Sequence, residues 1–172
     1  MANTYTLIAS STVGAGGAAS FDFTSIPSTY TDILVKYSCR LATSTGNGDM
    51  LLKFNGNATA NMTDKQLQGT GSSATSFSDG TLAAQYIGPA TPFSYTANTF
   101  SNGEIYVPNY AGAANKSVSG DGVNENNAST AWAFFSAVLW SSTAAINQIT
   151  IYPATGTLAQ YSTAYLYGVK NA

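Results

Sequence analysis

The sequence predicts an all-β fold, an antiparallel β-sandwich of the jelly-roll type with about eight to ten strands. Apolar residues recur with a period of two along most of the chain, in segments rich in β-branched and aromatic residues. Short runs of Gly, Asn, Ser and Pro separate these segments, as expected for turns between strands. No segment between them has a credible helical pattern, and antiparallel strands in this number close into a sandwich or jelly roll.

Eight segments give clear strand predictions and two give weaker ones. The clear segments are TYTLIAS (4–10), ASFDFTSI (19–26), YTDILVKYSCRLA (30–42), DMLLKFNG (49–56), EIYVPNY (104–110), TAWAFFSAVLW (130–140), INQITIYPA (146–154) and STAYLYGVK (162–170). The weaker ones are MTDKQLQGTG (62–71) and TLAAQYIG (81–88). Turns are predicted at Asn55-Gly56 and at the Gly-rich stretches Gly14–Gly17, Thr45–Gly48 and Gly69–Ser73.

The Ala-rich run around Trp132 and Trp140 has the composition of a helix, because Ala is the best helix former. Its pattern nevertheless favours a strand with two apolar faces. One face carries Trp132, Phe134, Ser136, Val138 and Trp140, and the other carries Ala133, Phe135, Ala137 and Leu139. Such a strand fits the interior of a sandwich or a contact between subunits.

Composition indicates one domain, residues 1–172, and excludes several classes of function. Only 8% of the residues are charged, against a usual share of about 25%. Six basic and eight acidic residues provide no basic footprint for nucleic acid. No apolar run approaches the roughly 18 residues of a membrane span, and the N-terminal stretch lacks the pattern of a signal peptide. We therefore expect neither nucleic acid nor a membrane as a partner.

The sequence offers no recognisable catalytic site. There is no histidine, which removes the usual nucleophile–histidine triads and most zinc sites. The single cysteine, Cys39, lies in an apolar run and is predicted to be a buried structural thiol. Nothing in the sequence brings two carboxylates together as a glycosidase requires. We therefore expect no enzyme activity and no cofactor.

The long polar stretch 101–127 begins as a strand and is predicted to leave it at Pro108 as a connection. Asp121, Asn124 and Glu125 offer oxygen ligands for calcium, but their spacing does not match a calcium-binding loop, so a turn is the prediction. The stretch GTGSSATSFSDGT (69–81) likewise lacks the Lys and the helix of a phosphate loop and is predicted to be a surface loop.

Several aromatic residues near predicted loops are candidates for contacts with partners, because an apolar ring with a polar tip suits both sugar stacking and protein interfaces. An uncharged surface also favours flat subunit contacts, where buried charge would be costly. The candidate interaction residues are Tyr86, Phe93, Tyr95, Tyr106, Pro108, Asn109 and Tyr110.

Four motifs along the chain resemble a group of small virion proteins of tailed bacteriophages that is common in aquatic phages. They are SIPSTYTDIL (25–34), FNG (54–56), IYVPNYAGAANK (105–116) and the closing LYGVKN (166–171). The first departs from the group's SIPxTYTDL pattern by the insertion of Ile33. The likeness spans nearly the whole chain and carries no catalytic residues.

The resemblance implies a non-enzymatic virion structural protein. The first expectation is a capsid decoration or cement protein on the head surface, a homotrimer that contacts the major capsid protein and copies of itself. The alternative is the tip of a tail fibre or head fibre that binds a host surface glycan through Tyr and Trp side chains. The two differ in copy number, because decoration requires many more copies per particle than a tail tip does.

Overall fold

The computed structural model describes residues 4–43, 48–127 and 131–170. Within these residues the chain forms twelve β-strands and no helix. The strands are β1 (Tyr5–Thr12), β2 (Phe21–Phe23), β3 (Asp32–Cys39), β4 (Asp49–Phe54), β5 (Met62–Gly69), β6 (Ala74–Phe77), β7 (Gln85–Pro89), β8 (Ser101–Val107), β9 (Lys116–Asn124), β10 (Trp132–Trp140), β11 (Ile149–Pro153) and β12 (Thr163–Val169).

The strands form two antiparallel sheets that pack as a sandwich, which confirms the predicted fold class. The large sheet has the order β1-β12-β3-β8-β9-β10-β5-β6, and the small sheet has the order β2-β11-β4-β7. The strand count exceeds the prediction of eight to ten, since the structure shows twelve. The jelly-roll connection stays a prediction.

The core lies between the sheets and is built from residues that alternate along each strand. In β10, Phe134, Val138 and Trp140 point inward and are buried, whereas Phe135 and Leu139 point outward and are exposed. Trp140 packs on Phe54 of the small sheet with ring centroids 5.4 Å apart. The strand prediction for this Ala-rich run is therefore confirmed, and its second apolar face lies on the outside of the large sheet.

Two strands were not predicted. The polar stretch after Pro108 does not remain a connection, because Lys116–Asn124 forms β9 between β8 and β10 in the large sheet. The predicted turn at Asp121 is therefore wrong. Asp121 points outward and Asn124 inward, so the two do not converge as calcium ligands would. The predicted surface loop at 69–81 contains β6, which pairs with β5 at the edge of the sheet.

Glycine in β9 has a packing role, which explains the turn-like composition of that strand. A Cβ on Gly120 would lie 2.7 Å from the backbone oxygen of Ile87, and one on Gly122 would lie 2.7 Å from Pro89 Cδ. Both neighbours belong to β7 of the small sheet. The absence of side chains on β9 therefore lets the β7 backbone lie directly on the large sheet.

The turns follow the predicted residues where the structure describes them. Asn55 and Gly56 both have positive φ, 50° and 62°, and the amide of Asn57 donates to the oxygen of Phe54 at 2.8 Å. Gly17 also has positive φ, 72°, and its amide donates a hydrogen bond to the carbonyl oxygen of Gly14 at 3.1 Å. Most of the turn predicted at Thr45–Gly48 lies outside the described residues.

We predict that Gly120→Ala lowers the free energy of unfolding by about 1–3 kcal/mol, because the new methyl group would press on the Ile87 carbonyl and on Ser136 Oγ. Denaturation by guanidinium measures the change. Gly69→Ala is the matched control, since Gly69 is also a strand glycine and a Cβ there would meet nothing within 4 Å. Equal stability of the two variants would contradict the packing role of Gly120.

Candidate functional site

One group of predicted interaction residues surrounds the carboxylate of Asp32, at the start of β3. Its two oxygens accept hydrogen bonds from the hydroxyl of Tyr106 at 2.7 Å and from the backbone amide of Asn109 at 2.8 Å. Asp32 is itself almost fully buried. A carboxylate that receives two donors makes strong hydrogen bonds, so Asp32 fixes the direction in which the chain leaves β8 at Pro108.

The segment after Pro108 is a rigid corner. Asn109 has positive φ, 49°, and its side chain occupies the space that a Cβ on Gly112 would need. The ammonium group of Lys116 donates to the carbonyl of Gly112 at 2.8 Å and to that of Ala114. Burial lowers the pKa of Lys116. The backbone of this segment is thus held from both ends by polar side chains.

Tyr110 belongs to the core. Its exposed fraction is 0%, and its hydroxyl donates to the carbonyl oxygen of Pro27. Its ring stabilises the fold and cannot contact a partner. Of this first group, only Tyr106, Pro108 and Asn109 reach the surface.

Three of the four motifs meet at this end of the sandwich. Tyr30, in the first motif, lies against Gly168 of the last, where a Cβ would be 2.3 Å from the ring. The ammonium group of Lys170 lies 5.7 Å from the centre of the same ring. Asp32 connects the first motif to Tyr106 and Asn109 of the third. The motifs therefore mark a structural junction.

A second group lies at the opposite end of the large sheet, where β3 ends and β8 begins. Phe93 and Tyr95 belong to a loop whose backbone carbonyls surround the guanidinium of Arg40. Arg40 donates to the oxygens of Phe93, Tyr95, Thr96 and Thr99 at 2.8, 2.9, 2.9 and 3.1 Å. Burial lowers the pKa of Arg40. The guanidinium thus fixes the backbone of the loop that carries the exposed ring of Phe93.

Tyr86 lies in a third place, on the small sheet, beside an open depression that Asp49 and Asp79 also line. The side-chain amide of Gln66 donates to Asp79 and to the buried Asp64. Burial, and then the charge of Asp79, raise the pKa of Asp49. The sequence did not indicate that these carboxylates would be neighbours. Among the described residues, no group of three or more His, Cys, Asp or Glu has the arrangement needed to hold a metal ion.

The structure therefore does not bring the seven predicted residues together. They occupy two opposite ends of the large sheet and one place on the small sheet. The broad exposed surface is the outer face of the large sheet, and Tyr106 is the one residue of the seven that we place in it.

One half of this outer face is a patch dominated by tyrosine. We call Tyr5, Leu7, Tyr106, Tyr165 and Tyr167, which surround Leu34, the tyrosine patch. The register of the strands makes the patch continuous. Four of its residues lie side by side across β1, β12, β3 and β8, namely Leu7, Tyr167, Leu34 and Tyr106. Tyr5 is 58% exposed and Leu7 is 53% exposed.

The other half is an apolar stripe. We call Ala133, Phe135, Ala137 and Leu139, which are the outward residues of β10, the β10 stripe. Leu67 on β5 and Val123 on β9 lie beside it and are exposed. Between the patch and the stripe lie Lys36 and Glu104, paired at 2.8 Å, and Asp121 directly opposite Glu104.

Cys39 is a buried structural thiol, as predicted. Its exposed fraction is 0%, and its sulfur lies 3.4 Å from the hydroxyl oxygen of Ser101. Burial raises the pKa of the thiol to about 12. The thiol is therefore protonated at neutral pH and is shielded from reagents.

Comparison with known proteins does not identify the chain. No protein-family model, no curated protein and no solved structure matches it. The resemblance to phage virion proteins therefore stays a prediction. A search of the described residues found no helix long and apolar enough to cross a membrane.

We predict that the native protein resists thiol reagents. With a pKa of about 12, roughly one thiol in ten thousand is ionised at pH 8, whereas an unfolded cysteine has a pKa of about 8.5. Labelling by a chromogenic disulfide should be at least about a thousandfold slower in buffer than in guanidinium, where the same chain is the control. Similar rates in both conditions would show that Cys39 is accessible.

We also predict that Arg40→Lys loosens the loop 93–99. An ammonium group cannot reach all the carbonyls that the planar guanidinium holds, so amide exchange in this loop should accelerate about tenfold or more. The free energy of unfolding should fall by about 1–3 kcal/mol. Lys36→Gln, on the same part of the chain, is the control and should change stability by less than about 0.5 kcal/mol. Unchanged exchange in Arg40→Lys would mean that other contacts hold the loop.

Proposed function

We propose that this chain is a non-enzymatic structural protein of a virus particle, a decoration or cement protein that attaches to the head of a tailed bacteriophage. The observation that carries the proposal is the tyrosine patch on the outer face of the large sheet, together with the motif resemblance. The partners are the major capsid protein and further copies of the chain.

The composition of the tyrosine patch suits a protein contact. Tyrosine is enriched at interfaces because its ring provides apolar area and its hydroxyl finds a polar partner. The exposed charges beside the patch, Lys36 and Glu104, already pair with each other at 2.8 Å, and the carboxylate of Asp32 is nearly buried and accepts a hydrogen bond from Tyr106. Attachment through such a surface removes little unpaired charge from water, so its desolvation cost is small. The contact should therefore depend weakly on salt.

The strand order supports a jelly roll, which is an architecture of viral capsid domains and of lectins. Without β1, β12 and the neighbouring pair β8 and β9, eight strands remain in two sheets of four. As the chain proceeds, they alternate between the sheets, except that β5 and β6 follow each other in the large sheet. The small sheet takes β2, β4, β7 and β11, and the large sheet takes β3, β5, β6 and β10. We propose that the fold is a jelly roll widened by these additional strands in its large sheet.

The second candidate function is a fibre tip that binds a host glycan. It is favoured by Phe93, an exposed aromatic ring on the loop that Arg40 holds rigid. An exposed ring on a backbone that is held in place suits stacking against a sugar. The tryptophans do not contribute, because Trp132 and Trp140 both point into the core and are nearly buried. Decoration of the head is therefore our first proposal.

We predict that substitution in the tyrosine patch weakens attachment to particles. Leu7→Ser and Tyr165→Ser each remove an exposed apolar side chain from the patch and leave the core intact, so each should weaken binding about tenfold to a hundredfold. The measurement is co-sedimentation of purified protein with heads that lack it. Tyr161→Asn, which removes an exposed tyrosine outside the large sheet, is the control and should bind normally.

Counting copies separates the two candidate functions. Quantitative mass spectrometry of purified particles should find hundreds of copies of a decoration protein, on the order of the number of capsid subunits, whereas a fibre tip supplies a few to some tens. A low copy number with binding to a soluble glycan, lost in Phe93→Ser, would reject decoration in favour of the fibre tip. Absence of the chain from the particles would reject both.

A further inference from the structure

The β10 stripe is an exposed apolar surface that no other part of the described chain covers. Phe135 is 51% exposed and Leu139 is 40% exposed, and Leu67 beside Phe135 is 54% exposed. These side chains lie on neighbouring strands of a regular sheet, because Leu67 is directly opposite Phe135 in the β5–β10 pair. A contiguous apolar surface of this kind marks a contact site on a protein that is otherwise covered by polar residues.

The stripe has a shape that can fit a copy of itself. Its residues alternate small and large along the strand, as Ala133, Phe135, Ala137 and Leu139. Shallow depressions lie beside the large residues, one lined by Ala133 and Leu67 and another by Ala137 and Lys65. When two such surfaces meet, the projecting ring of one can lie over the alanines of the other. Close packing of this kind is typical of the core of a stable interface.

The charges beside the stripe are also self-complementary. Asp121 lies on β9, on one side of Phe135, and Lys65 lies on β5, on the other side of Ala137. Neither makes an ion pair within the described residues. Within the described part of the chain, Lys65 donates to the carbonyl of Asp64 at 3.2 Å and to the hydroxyl of Ser78 at 2.6 Å, and both acceptors are neutral. Asp121 faces the like charge of Glu104 across the β8–β9 pair, and Lys36, the cation that attracts it, already pairs with Glu104.

We propose that the β10 stripe is the contact between two copies of this chain, related by a two-fold axis that passes near Phe135 and Ala137. In a two-fold contact each surface patch meets its own counterpart, so Asp121 of one copy meets Lys65 of the other, and the reverse pair forms as well. Both charges, neither of which forms an ion pair within the described residues, then acquire an oppositely charged partner, while Phe135, Leu139, Leu67 and Val123 leave water. A second copy accounts for the apolar residues and for both charges together.

The proposed dimer extends the proposed function. It rests on that function only in the premise that this chain acts by assembling with other protein subunits. A two-fold contact builds pairs, so it is a different contact from the trimer that the motif resemblance implies. It also leaves the tyrosine patch free for the capsid, because the patch lies on the other side of Lys36 and Glu104.

Sedimentation equilibrium of the full chain over a range of concentrations tests the contact. The unmodified protein should form dimers, and Phe135→Ser should weaken dimerisation about thirtyfold or more, since a central aromatic residue dominates such interfaces. Phe93→Ser, which removes an exposed aromatic side chain outside the β10 stripe, is the control and should leave the dimer unchanged. Circular dichroism should show that all variants are as well folded as the unmodified protein.

Charge reversal gives the sharper test. Asp121→Lys and Lys65→Asp should each weaken the dimer about tenfold, because each places like charges together twice in the pair. The double variant should recover to within about threefold of the original affinity, because the attraction is restored with exchanged signs. A surface role for either residue alone would not produce this recovery.

Three results would overturn the proposal: a monomer at every concentration, an oligomer that Phe135→Ser does not weaken, and a double variant no better than the single ones. The co-sedimentation assay with Leu7→Ser and Tyr165→Ser remains an independent readout of the proposed function. Failure of dimerisation with normal particle attachment would reject the β10 stripe contact alone. Normal dimerisation without attachment would reject the decoration role alone.

Discussion

The sandwich depends on the close approach of β7 to β9. The backbone at Ile87 and Pro89 lies on Gly120 and Gly122, which present no side chains to it. This contact brings the small sheet against the middle of the large one and leaves room for the larger core residues on either side. It also makes the large sheet continuous across its centre, because β9 joins the β3–β8 half to the β10–β5 half. The tyrosine patch and the β10 stripe, which we assign to assembly, therefore lie on one continuous sheet.

Most of the fold could be predicted from the period of two, and the failures have a common cause. Segments such as β10 and β12 carry large apolar residues at alternate positions, so their strand character is visible without any partner. β9 places Gly120 and Gly122 where other strands place large residues, and its composition is that of a turn. The glycines are explained only by the position of β7 on the opposite sheet, and the sequence of β9 alone does not show where β7 lies.

The candidate site was harder to predict for a similar reason. The motif residues around Pro108 are neighbours in the sequence, but whether a tyrosine there points inward or outward depends on packing, and Tyr110 fills the core while Tyr106 does not. The tyrosine patch collects residues from β1, β3, β8 and β12, which are far apart in sequence. The second face of β10 was recognised from the sequence because all its residues belong to one strand. The residues beside it on β5 and β9 could not be identified without the strand order.

The pairing of β1 with β12 has a consequence for biosynthesis. These strands lie at opposite ends of the strand sequence, so their contact closes the longest loop in the molecule and cannot form until β12 has left the ribosome. Tyr5 and Leu7 reach their places beside Tyr165 and Tyr167 only at that moment. A truncated or stalled polypeptide consequently lacks the complete tyrosine patch, because two of its residues have no strand to pair with.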